Sequence, residues 1–371
     1  MSTETKSAVV DGRTAEPAGP SGARPAADVP ASRVARRLTR ERCATLAFFL
    51  VFFAVVGVLK GSAYLSVSNV TTTFAQEGYV MFVAAGVTVT LIAGQFDLSV
   101  GALTGLCAIV TASVTAKAGV APVPGAILVL LVGSLAGLVN ALLVTVFQVN
   151  AFITTLGTGY VFGGLAILVS GNQAIFDGVP HGLIAAGTNS VFGLALPAVY
   201  VLGLVVVAWV VMHQSVLGRF WYAVGANPDA SRLAGVPVRK VTILAFVTTG
   251  LLAGCAGVIS VAKFGSADPV SGPELLLPAF AAAFLGSSIL SDGRFSVLGT
   301  IVADFLIAFA TNGLEVLGLN VWIKPVFSGC VLIFAVALTH ALRKGQAGSD
   351  GVTSGRTRAI GKRRLRRYVT G

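Results

Sequence analysis

Gly218 to Val241 reads GRFWYAVGANPDASRLAGVPVRKV. It is the longest interior stretch with the look of water-exposed protein, carrying Arg219, Arg232, Arg239 and Lys240 against Asp229 alone. Apolar runs long enough to cross a bilayer lie on both sides. A basic loop between two spans points to the cytoplasm. Within it, Asn227-Pro228-Asp229 starts a short helix, with Asn227 as cap and Pro228 at the first helical position. Gly235 and Pro237 end it. A short amphipathic helix held out from a membrane domain makes a docking surface.

Working outward, the chain has 371 residues, 55% hydrophobic and 11% charged. Ordinary soluble domains carry about 25% charged residues. The deficit spread over several apolar runs implies an all-α polytopic membrane protein. The net charge of +11 belongs to the ends of the chain. Lys and Arg number 8 in residues 1–42 and 9 in residues 343–371, whereas residues 43–342 hold 9 basic and 9 acidic side chains. The expected organisation is therefore a disordered basic tail over 1–42, a membrane domain over 43–342 and a second basic tail over 343–371. Basic tails beside spans set orientation and favour anionic lipid headgroups, which argues against nucleic acid as a partner. Cys43, Cys107, Cys255 and Cys330 form no CxxC pair, and the three histidines lie far apart, so no metal centre is expected.

Ten spans are expected, at about 43–59, 79–94, 98–117, 123–147, 151–170, 196–213, 241–262, 275–290, 296–317 and 321–342. Bulky Phe48, Phe49, Phe52 and Phe53, with no small-residue cleavage site beyond, make the first a retained span rather than a signal peptide. Loop charge tests the count. With the N-terminus inside, 171–195 lies outside and has no Lys or Arg, whereas 214–240 lies inside and has four. Both termini are then cytoplasmic.

Two polar stretches stand out inside this frame. The first is Gly94-Gln95-Phe96-Asp97-Leu98-Ser99-Val100-Gly101. Asp97 there suits a cap on the following helix, and the whole suits a broken helix beside a transport path, since irregular backbone at membrane depth is tolerated where it is buried or lines a cavity. The second is Phe152-Ile153-Thr154-Thr155-Leu156-Gly157-Thr158, whose hydroxyls serve either helix packing or a path for a polar solute. Asp304 and Asn312 are polar groups within a late span, and an ionisable residue there is a functional candidate. Ala84–Gly105 and Ala281–Thr300 share a pattern of apolar run, Gly-x-Phe and glycine, which hints at an internal duplication.

Four blocks in this order resemble the membrane permease subunits of bacterial ABC importers for simple sugars, the ribose, xylose and arabinose class. They are Gly94 to Gly101, Phe152 to Thr158, the loop with Gly225-Ala226-Asn227, Ala230, Arg232, Leu233 and Gly235, and Gly286-Ser287 through Gly293-Arg294 to Gly299-Thr300 with Asn312-Gly313. The resemblance covers approximately residues 75–340. It implies the ABC importer permease fold and a plasma-membrane location. It also implies a central path formed with a second permease copy, an ATPase subunit docked on the 214–240 loop, and an extracytoplasmic binding protein that delivers the solute. Gly218, Arg219, Gly225, Asn227, Ala230, Arg232 and Gly235 are then the coupling residues. Asp97, Ser99, Gly101, Phe152, Thr154, Thr155 and Asn312 belong to the path or the helix break. No GxxxxGK[ST] loop is present, so ATP is left to the partner. Gln95, Phe96, Leu276-Leu277-Pro278 and Asp304 depart from the family pattern, which leaves the solute open among monosaccharides, branched-chain amino acids and nucleosides. The rival from a different class is an ion-coupled secondary transporter using Asp97 and Asp304. A membrane-embedded enzyme would need paired histidines or carboxylates that the spans lack.

Overall fold

A computed structural model describes residues 31–61, 64–191, 193–290, 293–320 and 322–337, with side chains of the first helix described from Thr45. Most of the N-terminal tail, the whole C-terminal tail and Asp292 lie outside the described residues.

Helix α1 runs Ala31–Lys60, so its first turns pass through the arginine-rich segment that the sequence reading gave to the tail. Next come α2 (Val67–Gln76) and α3 (Gly78–Ile92), bent by 53° at Glu77. After the break at 93–99 comes α4 (Val100–Ala112), extended by a π-helical turn to Lys117. Then follow α5 (Pro122–Thr145), α6 (Ala151–Ser170), a short surface helix α7 (His181–Thr188), and α8 (Leu196–Trp209) with a π-helical end. The 218–241 loop holds α9 (Val216–Ala226) and α10 (Pro228–Leu233). The chain closes with α11 (Val238–Phe264), α12 (Leu276–Leu290), α13 (Val297–Val316) and α14 (Ile323–Ala337). The one sheet among the described residues is a two-stranded ribbon, β1 (Ser190–Val191) against β2 (Leu194–Ala195).

Seven helices are long and apolar enough to cross a membrane, and the bent α2–α3 pair makes an eighth. Two shorter apolar helices, Thr45–Lys60 and Ile323–Ala337, lie where the first and tenth of the expected spans fall. The second span begins well before the expected residue 79, because α2 continues it across the bend.

Burial sorts the spans into layers. Helices α3 and α4 are apolar all round and almost wholly buried, the mark of a central helix. Helices α5 and α6 bury only about a quarter of their apolar windows and turn rows of Leu, Val and Ile outward. Between the layers runs α11. Its Gly250 carbonyl meets Gly133 of α5, and a methyl group on either glycine would collide with the other's carbonyl. Small residues let these backbones approach where lipid gives no hydrophobic drive for helix association. At the far end of α11, Gly187 of α7 packs on the Ala262 backbone, and Ile175 pairs with Ala267 through two 2.8 Å backbone hydrogen bonds. The polar 171–195 segment is thus laid down against α11.

The duplicated pattern has a structural counterpart. Gly94 and Gly293 both adopt left-handed backbone, at φ 77° and 80°, the first two residues past the end of α3 and the second three past the end of α12. Each is followed two residues later by a phenylalanine packed on α12: Phe96 stacks on Phe280 and Phe295 meets Phe284 edge-on. Thr88 of α3 bonds Thr300 of α13 at 2.7 Å, tying the two halves together.

Candidate functional site: the exposed loop and the helix break beneath it

Local chemistry builds the loop. Ser215 caps α9 by accepting from the Gly218 amide at 3.1 Å. Trp221 is buried and its Nε1 donates to the Val241 carbonyl at 3.0 Å, anchoring α9 to the start of α11. Asn227 then breaks to extended backbone and its Oδ1 accepts from the Ala230 amide at 2.9 Å, capping α10. Gly235 turns the chain out of α10 at φ 82°. Start and stop of this helix fall where Asn227 and Gly235 place them in the sequence.

What α10 presents is mostly exposed surface. Arg232 pairs with Asp229 at 3.1 Å in the open. Arg219, Ala230, Arg239 and Lys240 are exposed too, while Gly218 is buried where α9 starts against the end of α8. Leu233 is 91% exposed, the most open large apolar side chain of the loop. Sequence reasoning named it in the loop block but left it out of the coupling residues, although a leucine beside Arg232 on the outer face of a six-residue helix is a signal that could have placed it there.

Beneath the loop lies the break. Gly225 of α9 sits directly on the backbone of Ile92 and Gly94. A methyl group there would press into the Ile92 carbonyl oxygen and stand 3.1 Å from the Gly94 amide nitrogen. From the same helix, Tyr222 Oη donates to the Phe295 carbonyl at 3.0 Å. Burial pushes the Tyr222 phenol up, with Arg294 nearby working against it. Helix α9 therefore touches both breaks.

Inside the first break, Asp97 is 1% exposed. Its Oδ1 accepts from the Ser99 amide at 2.9 Å and the Ser99 hydroxyl at 2.6 Å. The amide it takes is that of the cap residue itself, one residue short of α4. Ser99 Oγ also accepts from Asn140 Nδ2 of α5 at 2.8 Å. From α6, Thr155 Oγ1 accepts from the Leu98 amide at 3.0 Å and donates to the Ala151 carbonyl at 2.8 Å. Asp97, Ser99, Thr155 and Asn140 thus pin three helices at the break. Asn140 escaped the sequence reading, though it is an amide in an otherwise apolar span. Thr154 is buried beside this knot, with its hydroxyl unpartnered. Gly101, just above it, packs on the Gly272 carbonyl.

Two expected path residues lie elsewhere. Phe152 sits on the first turn of α6 with half its surface exposed. Asn312 is near the opposite end of α13, where its Oδ1 accepts from Asn69 Nδ2 at 3.0 Å and ties α13 to α2. Asp304 is buried in α13 and its Oδ2 has no hydrogen-bond partner among the described residues, on the side of the bend where Glu77 and Lys324 form a 2.9 Å ion pair. Among the described residues no group of three His, Cys, Asp or Glu side chains could hold a metal.

The model of the family described as branched-chain amino acid transport system / permease component matches residues 66–336. The autoinducer 2 import system permease protein LsrD of Photorhabdus luminescens is 32% identical over 298 residues, covering 79% of this chain and 89% of that protein. The protein of the same name from Photorhabdus laumondii is 34% identical over 260 residues, 68% of this chain and 78% of its own. The D-allose transport system permease protein AlsC of Escherichia coli K12 is 29% identical over 305 residues, 82% of this chain and 93% of its own. No solved structure matches the chain.

Proposed function

The chain belongs to the family of branched-chain amino acid transport system / permease components, and on that premise we propose that it forms the translocation path for a monosaccharide, gated by the α3–α4 break. It is a permease subunit of an ABC importer in the plasma membrane, a transport component and not an enzyme, with ATP hydrolysis on a separate subunit. A monosaccharide is favoured because a relative alignable over 93% of its own length is named for D-allose transport.

The observation that carries the gating is Gly225 seated on Ile92 and Gly94. An ATPase held on α10 moves α9, and α9 has no slack against the break. In this reading Gly218, Arg219, Gly225, Asn227, Ala230, Arg232 and Gly235 shape or present the docking surface. Asp97, Ser99, Gly101, Thr154 and Thr155 hold the break that the path crosses. Both termini and α10 are cytoplasmic, and the solute arrives from outside on a binding protein. A second copy completes the path across the open face of α6, where Ile153, Leu156 and Tyr160 are exposed. The chain itself binds no nucleotide.

A secondary transporter would use Asp97 and Asp304 as ion ligands. Asp97 is instead committed to Ser99, and an exposed Leu233–Arg232 surface would have no use. Reconstitution with the ATPase subunit and the binding protein tests the reading. Sugar uptake must require ATP, and the ATPase must co-purify. Uptake by the chain alone, without ATP, would overturn it.

A further inference from the structure

The chain between α11 and α12 doubles back into the membrane domain. From Phe264 it turns at Gly265, pairs Ala267 with Ile175, and then brings Gly272 against Gly101 and Gly105 of α4. A methyl group on Gly272 would stand 2.7 Å from the Gly101 carbonyl oxygen and 2.9 Å from the Gly105 Cα. Above this contact lies a cavity of about 220 Å3 between α4, the end of α11 and the doubled-back segment. Ser260, on its wall, lies 22 residues along α11 from Val238, about 33 Å at ~1.5 Å per residue. The cavity therefore opens at the end of the molecule opposite α10.

Its chemistry is unlike that of two other cavities among the described residues. The cavities behind Phe82 and Leu130, and behind Phe48 and Phe327, are lined almost wholly by apolar side chains. This one is lined by Ser260, Ser266 and Ser271, whose hydroxyls donate to backbone carbonyls and keep oxygen lone pairs to accept with, and by Asp268 and Glu274, with Tyr79 and Phe264 as aromatic walls packed edge to face at 5.6 Å. Asp268 spends Oδ1 on the Val270 amide. No hydrogen bond or ion pair ties Glu274 among the described residues. Carboxylates that accept from hydroxyls, next to flat aromatic faces, suit a neutral polyhydroxylated solute and repel an anion. The volume falls below the roughly 300–1,000 Å3 of drug-sized sites and suits a molecule the size of a pentose or hexose.

We propose that this cavity is the receiving site for a neutral sugar on the outer side, closed below by the backbone contact of Gly272 on Gly101 and Gly105. The proposal rests on the permease reading above. Glu274 and Asp268 accept the sugar hydroxyls, and the solute waits there until the gate below opens.

The test uses the full chain in proteoliposomes with its ATPase subunit, and Ser271→Cys as a reporter. A membrane-impermeant, charged thiol reagent is applied from outside, with the unsubstituted chain as background. D-allose and D-ribose are the probes, L-leucine the control. Labelling of S271C should be fast, slowed at least fivefold by one of the sugars and unaffected by leucine. Adding Glu274→Gln should raise the sugar concentration needed for protection about tenfold, as for loss of one charge-assisted hydrogen bond. If neither sugar slows labelling, or if E274Q protects like the parent, the site is wrong. ATP-driven sugar uptake by the unsubstituted chain, read in the same vesicles, separates the two claims. Uptake without protection overturns the site and leaves the permease reading standing, and protection without ATP-dependent uptake does the reverse.

Discussion

Gly225→Ala tests the link between the exposed loop and the break. The new methyl would stand 3.0 Å from the Ile92 carbonyl carbon and 3.1 Å from the Gly94 amide nitrogen, with the Ile92 oxygen closer still. Ordinary carbon–carbon contact needs about 3.5–4.0 Å. The Ile92 oxygen is the nearest of the three and sets the displacement, so helix α9 must back away from the break by more than about 1 Å. Both neighbours are backbone, so no side chain can swing aside to absorb this. Overpacking of such a contact costs ~1–3 kcal/mol, which shifts an equilibrium between two helix arrangements by about 5- to 150-fold at ~1.4 kcal/mol per decade. The assay is sugar uptake per ATP hydrolysed in proteoliposomes. G225A should still bind the ATPase, because α10 is untouched, and should hydrolyse ATP while moving at least fivefold less sugar. Gly203→Ala on α8 is the matched control, since nothing lies within 4 Å of its new methyl, and should behave as the parent. A folded G225A protein with parental uptake per ATP would refute the reasoning.

Leu233→Asp combined with Arg232→Glu should weaken ATPase co-purification at least 30-fold, the loss of a ~2 kcal/mol interface anchor, without moving the melting temperature of the isolated chain. Both side chains are largely exposed. Thr155→Val removes the acceptor of the Leu98 amide and leaves a buried donor unsatisfied, at about 1–3 kcal/mol. Thermal unfolding in detergent should show the loss, and Thr155→Ser should restore it. Asn227→Ala deletes the cap of α10 and should cost ~1 kcal/mol locally, seen as faster amide exchange over 230–235 with parental global stability. Glu77→Ala strips the partner from Lys324. It should lower the melting temperature more than Glu315→Ala, which removes a carboxylate outside that ion pair.

The loop was legible because its signals are local. Asn227 before Pro228, and Gly235 before Pro237, act within one turn, and the structure starts and ends α10 there. Apolar length likewise gave the spans. What stayed hidden depends on partners far along the chain. Glu77 looked like a span boundary, yet its ion pair with Lys324 lies at a bend inside one span. The 265–275 segment falls between two expected spans, and nothing near Gly272 says that Gly101, some 170 residues earlier, leaves room for it. Threonine pairs show the same limit. Thr154 and Thr155 are adjacent, but only Thr155 faces the Leu98 amide, a choice set by how α6 is rotated against α4.

Tyr222 and Gly225 lie one helical turn apart on α9; Tyr222 holds Phe295, two residues past left-handed Gly293, and Gly225 sits on Ile92 and left-handed Gly94, on opposite halves of the duplicated pattern. A rigid rod fixed to two hinges gives them a single degree of freedom. Neither break can open while the other stays shut unless α9 itself bends, and Trp221, buried one residue before Tyr222 and bonded to Val241, anchors the rod to the start of α11. On the gating reading proposed above, the loop would work as a common crank: one input displacement, two outputs, in phase.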